Sequence, residues 1–199
     1  VRPCANKWGV SDNIIMAMLT QESAGKEENL MQIQFWSWRD EILKAYNFNE
    51  NRYEYFVLTE EPQKYAGRDI QCITPEDLKN PKTNISLGCI IFRISAEKMH
   101  YHIGASIQCY NFGRGYMGEV LKETSKNTGI PVDEILNDQT NVDFMNYTFI
   151  INAGDPEYLN HVLSFLDTEE EMAIRYVDES GNIQENKVSI MPSTSKTMM

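Results

Sequence analysis

Between Asn84 and Met99 the apolar residues Ile85, Cys89, Phe92, Ala96 and Met99 advance by four, three, four and three positions, which keeps them on one face of an α-helix. A strand would require alternation at every second residue. The segment therefore predicts a buried helix, and the rest of the chain has to supply the surfaces that cover it. With 199 residues and 42% apolar content, the chain can bury one good core, and one domain with a tail is the expected organisation.

Shorter periodic segments flank this helix. Ser11 to Ser23 predicts an amphipathic helix, capped by Ser11 or Asp12, with Ile15, Met18, Leu19 and Glu22 on one face. Gly25 breaks the pattern, and Asn29 to Gln34 follows as a turn or short strand. Residues 35 to 72 are aromatic-rich and irregular, read as an insertion over a cleft with a short helix near Asp40 to Tyr46. Thr74-Pro75-Glu76-Asp77 opens a short helix or turn that ends near Asn80-Pro81. Ile103 to Tyr110 predicts a further helix, ending at Asn111-Phe112-Gly113-Arg114-Gly115, where the glycines permit a tight exit. Pro131 to Leu136 is a short helix, and Asp155-Pro156-Glu157 opens another, with Leu159, Val162, Leu163 and Leu166 buried. The main domain is expected over 1–167, and 168–199 reads as a tail. Met172 to Met191 alternates around Glu179-Ser180-Gly181-Asn182 as a β-hairpin does, and Pro192 to Met199 reads as disordered.

Charge and cysteine usage exclude several functions. With 18 basic against 29 acidic residues and a net charge of −11, the chain is a poor partner for nucleic acid, whose phosphates must be neutralised. No apolar run approaches the roughly 18 to 20 residues of a membrane span, and the N-terminus lacks the layout of a signal peptide, so the sequence reads as soluble. Cys4, Cys72, Cys89 and Cys109 form no C-x-x-C pair and have no histidine at zinc spacing, so neither a metal nor a cofactor is expected. Cys89 and Cys109 fall in predicted buried helices and read as core thiols, though one or two disulfides would also suit an even count.

Glu22 is the residue with the most chemical promise. An acid that protonates a poor alkoxide leaving group at neutral pH needs a pKa well above that of a solvated glutamate, and apolar neighbours provide that shift. Glu22 follows Ile15, Met18 and Leu19 along one face. Taken alone, a glutamate ending a helix is more often an ordinary solvated residue.

The order of several short motifs adds to this. Glu22-Ser23, Leu30-Met31-Gln32-Ile33, Asn84-Ile85-Ser86-Leu87-Gly88, the run from Ala105 to Gly115 and Gly154-Asp155-Pro156-Glu157-Tyr158 with His161-Val162-Leu163 resemble, in sequence, the motifs of the lytic transglycosylase and goose-type lysozyme superfamily. The nearest likeness is to lysozyme-like domains of Gram-positive cell-wall hydrolases from bacteriophage tails and conjugative elements, over residues 8 to 167. The resemblance implies a mainly α, lysozyme-like (α+β) domain with a C-terminal β-hairpin or extended tail. It implies cleavage of the β-1,4 bond between N-acetylmuramic acid and N-acetylglucosamine in peptidoglycan, without cofactor. Glu22 would be the catalytic acid, and Ser23, Met31, Gln32, Tyr110 and Asn111 would line the substrate site. The implied setting is extracellular, at the cell wall or on a virion, with other modules of a phage tail or conjugation machine as partners.

Other candidates have only their chemistry to support them. Gln32 offers a donor and an acceptor for an N-acetyl group, and the Tyr110 hydroxyl would suit the acid. Trp36, Trp38, Tyr53 and Tyr55 present rings on which sugars stack, or else form a satellite core. An inverting hydrolase needs a second carboxylate roughly 6.5–9.5 Å from the first, and Asp40, Glu41 and Asp69 are the candidates for it. Without one, Glu22 serves as acid and then base, so both hydrolysis and transglycosylation stay open. His100, His102 and His161 show no partners at triad or metal spacing, which disfavours nucleophilic catalysis. The rival readings are a catalytically idle wall-binding or structural module, and a helical partner-binding protein unrelated to sugars.

Overall fold

A computed structural model describes residues 1–25, 29–166 and 170–190. Helix accounts for 51% of the described residues and strand for 18%, a mixed α+β fold in which helix dominates. Two units are distinguished, Val1–Ile94 with Arg175–Gln184, and Ser95–Ile174 with Glu185–Met199.

In the first unit, α1 (Arg2–Trp8) turns at Gly9 into α2 (Asp12–Ser23), for which Ser11 is the N-cap residue. Gly9 has φ +70°, and a Cβ there would lie 2.4 Å from the Phe48 ring, so only glycine fits. After the short α3 (Phe35–Trp38) come β1 (Ile42–Asn47), β2 (Arg52–Leu58) and β3 (Gln71–Ile73). β1 and β2 pair antiparallel, and β3 joins β2 in parallel. Leu43, Ala45, Glu54, Phe56 and Leu58 are buried, whereas Lys44, Tyr53 and Tyr55 are exposed, the alternation of a half-buried sheet. Trp8 packs edge-on against Phe56 at 5.5 Å. A 3₁₀ turn at Asp77–Lys79 leads into α4 (Pro81–Lys98), which is buried almost all round from Leu87 to Arg93.

In the second unit, α5 (Ile103–Phe112) starts at His102 and gives way at Gly113 to α6 (Arg114–Thr128). α7 (Val132–Asn137), a 3₁₀ segment over Asp143–Ile150, and α8 (Tyr158–Leu163) follow. Phe144, Tyr158, Leu159 and Val162 are buried beside the wholly buried Ile103, Ala105 and Ile107 of α5. β4 (Glu170–Val177) and β5 (Ile183–Ile190) form the hairpin read from the alternation, of which Arg175–Gln184 are counted with the first unit.

Three sequence expectations are corrected. The helix expected near Asp40 to Tyr46 is strand β1, because Leu43, Ala45 and Asn47 bury at period two, and the Asn47 carboxamide oxygen closes the next turn by accepting from the N–H groups of Asn49 and Glu50. Residues 35–72, read as irregular, hold the three-stranded sheet that buries Leu43, Phe56, Val57 and Leu58. Gly113-Arg114-Gly115 ends one helix and at once begins another, α6, whose buried Met117, Val120, Leu121 and Thr124 lie on one face. The disorder expected from Pro192 to Met199 lies outside the described residues. Among the described residues, no helix is long and apolar enough to cross a membrane.

All four cysteines are free thiols. Burial pushes Cys89 far up and Cys109 up to about 11, so both remain neutral core groups.

Candidate active site

The first unit carries Glu22, Ser23, Met31 and Gln32. α2 buries Ile14, Ile15, Ala17, Met18 and Leu19 and ends as Ala24 adopts the left-handed conformation. Glu22 follows Met18 and Leu19 on the same face and is half-buried. Ser23 serves the helix end locally, its Oγ accepting from the Gly25 N–H at 3.1 Å.

The Met31–Gln32 turn is held by two asparagines. The side chain of Asn29 clasps Ile33, accepting from its N–H at 2.9 Å and donating to its carbonyl at 3.0 Å. Asn84, fully buried on α4, accepts from the Met31 N–H at 2.9 Å and donates to Asn29 Oδ1 at 2.9 Å and to the Leu78 carbonyl at 3.0 Å. One helical turn on, Gly88 leaves room for the wholly buried Met31; a Cβ there would stand 2.7 Å from Met31 Cγ. Thus the i, i+4 pair Asn84 and Gly88 forms the seat of this turn. Within it Gln32 holds φ +48°, a conformation costly for a residue with a Cβ and sustained only where its surroundings over-determine it.

Tyr110 and Asn111 belong to the second unit. Asn111 Oδ1 accepts from the Asp155 N–H at 2.6 Å, which leaves its Nδ2 without a hydrogen bond among the described residues. Gly154 has φ +65°, and a Cβ there would lie 2.4 Å from Asn111 Oδ1. The fully buried Gln108 donates to the Asp155 carbonyl at 2.8 Å and accepts from the Leu159 N–H at 2.9 Å. α5 therefore anchors the Gly154-Asp155 turn and the start of α8 through two side-chain amides.

His161 has the Asp155 carboxylate 2.6 Å from its Nδ1, a pair that spans the start of α8.

Asp40 and Asp69 are exposed and Glu41 is half-buried. Asp40 has φ +62° and pairs with Arg39 at 3.6 Å. The buried carboxylate of this unit is Glu54, 6% exposed, which sequence reasoning passed over. Burial pushes its carboxyl up, but bonds from Asn47 (2.5 Å), Lys7 (3.1 Å) and Gln71 outweigh that, holding it below the usual carboxylate range. Its signal in the sequence is an acid at an inward position of an alternating strand. Trp36 is 65% exposed, with the Arg39 guanidinium 5.2 Å from its ring. Tyr53 and Tyr55 stand on the outer face of the sheet, where the Lys44 ammonium lies 3.9 Å from the Tyr53 ring.

Among the described residues no group of histidines, cysteines and acids is arranged to hold a metal ion. No protein-family model, curated protein or solved structure matches the chain.

Proposed function

We propose that this chain cleaves the glycan strands of peptidoglycan at the β-1,4 bond between N-acetylmuramic acid and N-acetylglucosamine, with Glu22 as general acid and then base. The observation that carries the reading is the Met31–Gln32 turn. A buried Asn29–Asn84 network holds Gln32 in a left-handed conformation a few residues after the helix that presents Glu22 at the end of a buried stripe. Backbone strain maintained by a buried polar network is characteristic of binding and catalytic sites. The motif order resembling lysozyme-like wall hydrolases supplies the substrate class.

In this mechanism the Glu22 carboxyl donates its proton to the bridging oxygen as the bond from that oxygen to the anomeric carbon breaks. The resulting carboxylate then takes a proton from the group that attacks the anomeric carbon. If water attacks, the product has a reducing end; if the sugar's own 6-hydroxyl attacks, it has an anhydro end. The Gln32 carboxamide is suited to holding an N-acetyl group. An idle wall-binding module is the second reading, favoured by the exposure of Asp40 and Asp69.

Mass spectrometry of muropeptides released by the wild type and by Glu22→Gln tests the reading. Loss of an acid–base group should lower turnover about 10²- to 10⁴-fold with folding unchanged, and the released ends identify the attacking group. Equal digestion by the variant refutes the role of Glu22. Binding without any turnover by the wild type establishes the idle module.

A further inference from the structure

A cavity of about 310 Å³ opens in the first unit between β3 and the first turns of α4. Its floor is apolar, made by Phe56, Leu87 and Ile90. Its rim carries Asp77, Lys82, Thr83 and Ser86, and each of these has bonding capacity left over. Asp77 uses only Oδ2, which accepts from the Thr74 N–H (2.9 Å) and hydroxyl (2.7 Å). Ser86 Oγ accepts from Trp8 Nε1 at 2.9 Å, and its hydroxyl hydrogen has no acceptor among the described residues. The same holds for the Thr83 hydroxyl, and the Lys82 ammonium makes no ion pair among the described residues.

Lys82 is the informative member. It lies in the first turn of an 18-residue helix, where the macrodipole disfavours a cation. The backbone N–H groups of Lys82 and Thr83 are already capped by Asn80 Oδ1, at 3.0 and 3.2 Å. An unpaired ammonium at such a position, beside two hydroxyls and above an apolar floor, suits an anionic group. Asp77 supplies the opposite charge on the same rim without pairing with Lys82. An apolar floor with a few convergent polar groups is the usual make-up of a small-ligand site, and the volume falls at the small end of the roughly 300–1,000 Å³ range.

We propose that this cavity binds a small zwitterion, an amino acid or a free dipeptide. Its carboxylate would meet Lys82, Thr83 and Ser86, its ammonium Asp77, and its aliphatic part the Phe56–Leu87–Ile90 floor. The site is independent of Glu22, so it stands or falls separately from glycan cleavage.

Calorimetric titration with alanylalanine tests it, using acetate, ethylammonium and N-acetyl-alanylalanine amide as comparisons. The free dipeptide should bind at one site, and the three comparison compounds should bind at least tenfold more weakly. Lys82→Gln, a change at an exposed residue, and Asp77→Asn should each weaken binding tenfold or more, while tryptophan fluorescence verifies folding. As a second readout, the dipeptide should slow alkylation of Cys72, which lines the cavity, in a Cys4→Ser background. Absence of both heat and protection overturns the proposal. So does equal affinity for the capped dipeptide, or undiminished binding by Lys82→Gln.

Discussion

Replacing Asn84 with alanine is the sharpest test of how the Met31–Gln32 turn is held. The substitution deletes three hydrogen bonds made by a side chain with no exposure. Asn29 Oδ1 keeps its bond from Ile33, and the Leu78 carbonyl loses one partner, each a net loss of about 0.5–1.5 kcal/mol. The Met31 N–H loses its Asn84 acceptor, a further net loss of about 0.5–1.5 kcal/mol. A destabilisation of about 1.5–4.5 kcal/mol follows. With a urea m-value of about 2 kcal/mol/M, the midpoint should fall by about 0.75–2.25 M. All three tryptophans, Trp8, Trp36 and Trp38, lie in the first unit, so their fluorescence follows this unit alone. The double variant with Asn29→Ala should lose less than the two single losses combined, by at least about 0.5 kcal/mol, because the pair shares a bond. A midpoint shift below about 0.5 M for Asn84→Ala, or strict additivity with Asn29→Ala, refutes this account of the turn.

Two further predictions concern the second unit. His102 caps α5, its Nδ1 accepting from the Ala105 N–H at 3.1 Å while its Nε2 bonds the Asn141 carbonyl at 3.0 Å. Burial pushes its pKa down, with the backbone bonds and nearby Asp138 only partly opposing. The unfolded chain therefore takes up the proton more readily, so this contribution is intact above about pH 6.5 and is lost as pH falls below it towards the lower folded value. Amide protection of α5, measured against the intrinsic exchange rate at each pH, should fall over that range, and His102→Asn, which keeps a cap acceptor, should remove the dependence; an unchanged slope in the variant contradicts it. Gly154→Ala should destabilise this unit by about 1–3 kcal/mol, from its positive φ and the contact with Asn111. Thermal unfolding followed by circular dichroism measures the loss, and a neutral result would mean that the turn is not seated on Asn111.

Much of the helical framework was legible because buried helices write their period into the sequence. The seam around Cys89 and Phe92, the α5 stripe and the α8 stripe were all read from spacing alone. β1 was misread because a six-residue segment carries too few apolar positions to separate a period of two from one of 3.6. α6 was hidden by its polar composition and by two glycines near its start, where a helix end was the natural reading. In the candidate site, Glu22, Met31 and Gln32 were named from motif order, but the seat beneath the Met31–Gln32 turn was not read. Nothing local in Asn84 or Gly88 says that they meet residue 31, since that contact spans 53 positions. A polar residue inside an otherwise buried helix, such as Asn84 or Gln108, is the sequence signal for such anchors.

The hairpin residue Arg175 reaches back to the beginning of the chain. Its N–H donates to the Gly9 carbonyl at 2.7 Å, its guanidinium donates to the Asn6 carbonyl at 2.9 Å, and it also lies 4.7 Å from the Phe48 ring. A chain made from its N-terminus generally folds domain by domain as it emerges, but here the earliest helix must wait for a residue synthesised 169 positions later. Until then the loop at Gly9 has its carbonyl open to water and Phe48 is covered on fewer sides, so the first unit cannot be completed before the hairpin is made.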